Sequence, residues 1–279
     1  MHRLRSLFLV AALGAATVTT LPGTANAAAP SKIVSLSPTA TEMLFAIGAG
    51  KQVIAVDDQS SFPERAPRTD LSGFEPNVEA IAGYDPDLVV ASDGQVRKQL
   101  EDLGIDVLVL PAAGKLADSY AQIRKLGKVT GHTKAADQLV REMKADIADL
   151  VEGVPDGKDP SAYYEVDDTY FSADSSTFIG RLLKLGGFAN IADAAKGDSG
   201  GYPQLSSEFI VDRDPDTVFL ADGKCCAQSP QTFAQRPGFA ELTAVQDGNV
   251  VALDEDVAQR WGPRVVALLR QIVKQRAKQ

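Results

Sequence analysis

The 279-residue chain predicts an α/β protein of two lobes, each with a central, mostly parallel sheet, joined by one long α-helix. Three observations carry that expectation. Short runs rich in Val, Ile and Leu alternate with helical stretches from Lys32 onward, and strands apolar throughout are what a parallel sheet covered on both faces requires. A passage then occurs twice, as EAIAGYDPDLVV at 79–90 and EFIVDRDPDTVF at 208–219, with Glu, Ile, Asp, Pro, Asp and Val at matching offsets. Between the copies, 133–154 places Ala136, Leu139, Val140, Met143, Ile147, Leu150 and Val151 at helical spacing. At about 1.5 Å per residue this rod spans roughly 33 Å, about the width of a small domain.

Taken in order, KIVSLSP (32–38) is a strand and TATEMLFAIG (39–48) a helix closed by glycine, where a left-handed cap is easy. QVIAVDD (52–58) is a strand, NVEAIAGY (77–84) a short helix and DLVVAS (87–92) a buried strand. Helix 95–104 and strand 105–111 follow. The second half repeats the pattern with strand 161–168, helices 177–187 and 207–213, strands 216–222 and 249–255, and a closing helix 262–275 with proline near its first turn.

The organisation expected is a leader at 1–27, an N-terminal lobe at 28–131, a link at 132–155 and a C-terminal lobe at 156–279. Met1–Arg5 is basic, the run behind it is apolar, and Ala25-Asn26-Ala27 fits cleavage after Ala27, so the chain is expected to be exported to the periplasm or cell exterior. Its apolar core is short for a membrane span. A retained anchor stays an alternative, and the leader offers no cysteine for lipid attachment. The formal charge of −9 grows two units more negative without the leader and opposes a nucleic-acid surface or docking on anionic lipid. Cys225 and Cys226 are adjacent, and an oxidising compartment would permit a vicinal disulfide, with two unpaired loop residues as the alternative.

In each repeated passage the helix ends before Asp-Pro, because the residue ahead of proline is pushed out of helical geometry, and a buried strand follows. Glu79 and Glu208 each fall in the first helical turn, where a carboxylate suits the helix dipole. That role alone explains them. Two equivalent exposed carboxylates on twin lobes also suit a symmetric partner, since rim charges steer and orient association.

The order KIVSLSPTATEMLFAIGAG, NVEAIAGYDPDLVVAS, LEDLGIDVLVLP, PQLSSEFIVDRDPDTVFLAD and RWGPRVV, over 31–275, resembles the Fe-chelate/cobalamin class of periplasmic substrate-binding proteins. The resemblance implies two lobes around a shallow cleft with little hinge motion, serving an ABC importer. It implies that Glu79 and Glu208 dock on arginines of a dimeric permease, and that a ferric siderophore or cobalamin is the cargo. A monomer with no cofactor of its own is expected.

Ligands of open α/β sheets sit beyond the carboxyl ends of the strands, and a two-lobe protein usually binds between its lobes. The candidate ligand contacts on those loops are Ser37, Pro38, Phe62, Phe74, Ser92, Asp93, Asp168, Tyr170, Phe171, Tyr202, Arg260 and Trp261. The aromatic members suit a large, flat organic ligand. Asp57, Asp58, Asp93, Asp167, Asp168, Asp222, Asp254 and Asp256 fall in the same loops, with Arg236, Arg260 and Lys224 as counterweights. This disfavours a strongly anionic chelate, and a solvated rim explains the acids equally well.

Other classes fare less well. Past the leader His132 is the only histidine, placed in an exposed position at the start of the link, so a bare-metal site is not expected. Haem stays open through Tyr170 or Tyr202 as axial ligand. Nucleophilic catalysis lacks a positioned base, the Asp57-Asp58 and Asp167-Asp168 pairs make a weak carboxylate dyad, and no dinucleotide or phosphate loop appears. The chain is therefore not expected to be an enzyme. A secreted haem or siderophore scavenger that never docks is the other alternative.

Overall fold

A computed structural model describes residues 29–195 and 199–279, so the leader and its cleavage point lie outside the described residues. Each half of the chain builds one four-stranded sheet, and the two have the same strand order. β1 (Ile33–Leu36), β2 (Val53–Val56), β3 (Leu88–Ala91) and β4 (Asp106–Val109) lie in the order β2-β1-β3-β4. β5 (Ser161–Glu165), β6 (Ala189–Asn190), β7 (Thr217–Leu220) and β8 (Val250–Ala252) lie in the order β6-β5-β7-β8. All six strand pairings are parallel.

Side chains on a strand alternate between faces, and here both faces are covered. In β3, Leu88 and Val90 enter an inner core while Val89 and Ala91 enter an outer one. In β7, Phe219 points inward and Val218 and Leu220 outward. The outer core of the first lobe takes in Ile81 of α2 (Val78–Ala82) and Leu100 of α3 (Arg97–Asp102). The inner core is shared. It runs from the first sheet and α1 (Pro38–Ala46) through α4 (Leu116–Val129) and α5 (Thr133–Glu152) to α6 (Phe178–Leu185), the second sheet and α11 (Val265–Arg276). α5 is the expected linking rod, with Ala136, Val140, Met143 and Ile147 buried and Leu139, Leu150 and Val151 half-buried against the same core.

α4 stands where the sequence reading assigned no element. Leu116, Tyr120, Ile123 and Leu126 line one face of it at helical spacing, but four charged residues dilute the apolar pattern. Gly127 lets α4 close on α5, because a Cβ there would collide with that of Ala136. Two-residue β6 and the short helices α8 (Pro230–Ala234), α9 (Thr243–Gln246) and α10 (Glu255–Ala258) also went unassigned. The closing helix starts at Val265, three residues after its expected first residue. His132 is half-buried rather than exposed, its Nδ1 2.9 Å from the Thr130 carbonyl.

The repeated passages coincide in structure as in sequence. α2 and α7 (Ser207–Arg213) are capped by Asn77 Oδ1, accepting from Ala80 N at 2.9 Å, and by Ser206 Oγ, accepting from Phe209 N at 3.1 Å. Beyond each helix an aspartate adopts positive φ, 51° at Asp85 and 39° at Asp214. Asp87 Oδ2 then accepts from Ser31 N and Oγ at 2.7 and 2.8 Å, and Asp216 Oδ2 accepts from Ser161 N and Oγ at 2.6 and 2.7 Å. One carboxylate per lobe thus pins the start of the central strand to its neighbour.

Because the inner core is common to both lobes, Met143→Ala is expected to cost about 2–5 kcal/mol. Chemical denaturation followed by circular dichroism and fluorescence should show one transition displaced as a whole, not one of two.

Candidate functional site

In parallel sheets of this connectivity the carboxyl ends of the strands point the same way, and the loops leaving them meet at the seam between the lobes. Two cavities open there. One, of about 240 Å³, is lined by Ala112, Ala113, Tyr164, Phe178, Tyr202 and Trp261 among others. The second, of about 330 Å³, is lined by Ser37, Pro38, Phe74, Ser92, Glu255 and Asp256 among others. Gln259, Arg260 and Trp261 wall both, so the segment between α10 and α11 divides one cleft into two bays.

That segment belongs to the second lobe in sequence but is bonded to the first. Glu42 on α1 has only 1% of its side chain exposed. It receives Arg260 Nη1 at 2.9 Å and Arg264 Nε at 3.0 Å, the latter also engaging its second oxygen. Arg260 Nη2 donates to the Gln59 carbonyl at 2.9 Å, and Ser61 Oγ donates to Asp256 at 2.8 Å. Trp261 Nε1 donates to Gln122 Oε1 on α4 at 2.9 Å, and Arg264 lies over the Phe62 ring at 4.5 Å. Forked arginine–carboxylate contacts are both strong and directional, so they fix the segment's position rather than merely attract it. Lys224, Ser61 and Arg260 together outweigh burial and hold the Asp256 carboxyl below the usual range.

Two of the expected rim acids are sealed instead. Asp57 is 1% exposed, and burial, partly offset by Ser60, pushes its carboxyl up to about 6. Gly73 makes that possible, since a Cβ there would stand 2.6 Å from the Leu36 carbonyl and 2.8 Å from Asp57 Oδ2. Asp222 is fully buried, and burial followed by repulsion from Glu165 raises it to about 7. Neither Asp222 oxygen has a well-formed hydrogen bond, its own amide offsets the rise only in part, and protonated it can donate to Glu165. Glu165 is itself gripped by Arg236 through two 2.7 Å contacts, with Tyr163 OH donating at 3.0 Å.

The structure gathers seven of the twelve expected contacts, Ser37, Pro38, Phe74, Ser92, Tyr202, Arg260 and Trp261, on the walls of the two bays. Phe74 is 79% exposed and Tyr202 47%, more than side chains serving only to pack. Burial, then Asp174, raises the Tyr202 hydroxyl. The other five lie outside these walls. Phe62 supports Arg264, Tyr170 packs between Phe239 and Arg236, and Phe171 bridges to Gln204. Asp93 turns back to accept from Gln95 N at 3.0 Å, and Asp168 is exposed. Glu42, Glu165, Gln122 and Arg264 were missed, because nothing in their local sequence distinguishes them from ordinary helix and strand positions. The sulfurs of Cys225 and Cys226 touch in the turn after β7, where the amides of Lys224 and Cys225 donate to Glu255 Oε2 at 2.7 and 3.0 Å.

Glu79 and Glu208 are each the second residue of their helix, and both are exposed. α2 and α7 each run directly into a sheet strand, so their amino ends lie toward the strands' carboxyl ends, on the cleft side. Phe74 and Tyr202 stand shortly upstream of the respective glutamates. Hydrogen bonds from Glu208's own amide, then Ser206 and Ser207, hold its carboxyl below the usual range.

Twin parallel sheets, a shared core and an aromatic seam cleft define a two-lobed binding protein. The chain belongs to the periplasmic binding protein family, whose sequence profile matches residues 33–257. It is 32% identical over 249 residues to an uncharacterized ABC transporter substrate-binding lipoprotein of Bacillus subtilis strain 168, covering 85% of this chain and 77% of that one. It is 33% identical to a cobalamin-binding protein of Halobacterium salinarum strain R1, covering 85% of this chain and 67% of that one. The fold is shared with a periplasmic heme-binding protein of Vibrio cholerae at a TM-score of 0.78 and 22% identity, covering 87% of this chain and 97% of that one.

Two predictions follow from the buried charges. Glu42→Ala strands two arginines at the seam and is expected to cost about 3–5 kcal/mol, measured by urea denaturation. Asp57 and Asp222 hold their protons more tightly folded than unfolded. The stability this confers is complete below the ordinary carboxylate range near pH 4 and is lost as pH rises through about 6 and about 7. Asp222→Asn should flatten much of that fall and raise the melting temperature at about pH 8 relative to the unaltered chain.

Proposed function

We propose that this protein captures a bulky metal chelate in the seam cleft and delivers it to the permease of an ABC importer. The chelate is of the corrinoid, haem or ferric siderophore kind, with a corrinoid favoured by the cobalamin-binding relative. The observation that carries the reading is the cleft wall itself, where Trp261 walls both bays, with Tyr202 of the second lobe in one and Phe74 of the first in the other, while Arg260 is already committed to Glu42 and Asp256. Aromatic faces with polar edges and no idle cation suit a large ring of low net charge.

Glu79 and Glu208 are the docking handles in this reading, one per lobe on matching helices. The apolar leader exports the chain and is cleaved after Ala27, leaving lobes at 28–131 and 156–279 around the link. Export to an oxidising compartment closes Cys225 and Cys226 into a vicinal disulfide. The chain acts as a monomer and performs no chemistry on its cargo.

Calorimetric titration with cyanocobalamin, ferric hydroxamate and haem is expected to give micromolar or tighter binding for at least one. Trp261→Ala should weaken it tenfold or more, in keeping with the loss of about 1.4 kcal/mol or more. Glu79→Ala with Glu208→Ala should leave that affinity unchanged while abolishing cargo uptake in cells. Binding lost in the glutamate pair would move these residues into the cleft and remove their docking role.

A further inference from the structure

The cleft's cations are spent on neighbouring acids. Arg260 and Arg264 serve Glu42, Arg236 serves Glu165, and Lys224 serves Asp256. One end of the seam differs. A groove of about 590 Å³ is lined there by Lys115, Arg181 and Lys184 over a floor that includes Leu116, Val151 and Leu185. Its lining follows that of the 240 Å³ bay along the chain on both lobes. On the first lobe Ala112 and Ala113 lead into Lys115, and on the second Phe178 and Ile179 in the first turn of α6 are followed by Arg181 and Lys184.

The three cations are exposed and enter no ion pair among the described residues. Arg181 Nε donates to the Ser176 carbonyl, a neutral acceptor. Lys184 lies in the last turn of α6, where the helix dipole favours a cation, which accounts for one charge and leaves two. In a chain of formal charge −9, three cations without an ion-pair partner among the described residues line one groove, two of them with no helix-dipole role, beside a cleft that has none to offer. Among those residues, the one carboxylate bonded to the lining, Asp193, is held by Ser175.

We propose that this groove is a subsite for an anionic arm, phosphate or carboxylate, of a chelate whose ring occupies the cleft. This rests on the cleft being the chelate site and adds the chemical class of the cargo's appendage. It divides recognition in two, with aromatic walls holding the ring and the groove selecting ligands that carry a tethered negative charge. Exposed charge pairs contribute modestly one by one, so three together should amount to about tenfold in affinity.

The test compares cyanocobalamin with dicyanocobinamide, which lacks the nucleotide arm and its phosphate, and haem with its dimethyl ester, which lacks free carboxylates. Calorimetry is run on the full mature protein and on a variant combining Lys115→Gln, Arg181→Gln and Lys184→Gln, whose fold is checked by thermal melting. The unaltered protein should prefer the arm-bearing member of one pair by about tenfold, less at high salt. The variant should lose that preference while binding the armless ring as before. Preference within the corrinoid pair identifies phosphate, and within the porphyrin pair carboxylate. A preference that survives in the variant, or equal affinity within both pairs while the rings still bind, overturns the subsite alone. Failure of all four ligands to bind overturns the cleft reading and the subsite with it.

Discussion

The seam is organised around one buried carboxylate. Glu42 lies on the first lobe, and the two guanidiniums that satisfy it come from either side of Trp261 on the second. Removing such a group from water is expensive, and only complete pairing makes it tolerable. The bonds are directional, so they leave the 256–264 segment one place to sit, and with it the wall common to both bays. A hydrophobic contact of equal area would bring the lobes together without specifying that register.

The twin architecture shows where the two lobes agree and where they differ. Past the repeated passages the likeness continues, with Asp93-Gly94 after β3 and Asp222-Gly223 after β7. Asp93 stays exposed and caps its own turn, whereas Asp222 is sealed beneath a turn that carries Cys225 and Cys226, facing Glu165. The aspartates that tie Ser31 and Ser161 have kept the same job in both lobes. Positions that hold the central strand in place match between the lobes, and positions at the strand exits differ and form two different cleft walls.

Much of this could be read from sequence, for identifiable reasons. The strands were legible because burial on both faces forces continuous apolar runs, and α5 because a long helix repeats its period often enough to be seen. α4 was not, since its apolar stripe is narrow and interrupted by charge, and helices of four or five residues such as α8 and α10 offer too few turns to show a period. At the site, exposed aromatics on strand exits were recoverable by topology. Glu42 and Arg264 were not, because their meaning lies in a partner more than two hundred residues away. For Asp57 and Asp222 the sequence shows only a carboxylate after a strand, and whether such a group meets solvent depends on what the loop beyond it covers.

The shared inner core sets a limit on how the two halves can move. With α4, α5 and α11 packed into both, opening the cleft would tear apolar contacts along the full length of the rod. A molecule so braced resists large hinge closure, because its inner core belongs to both halves. Pulling the two halves apart would have to break that core as well as the seam.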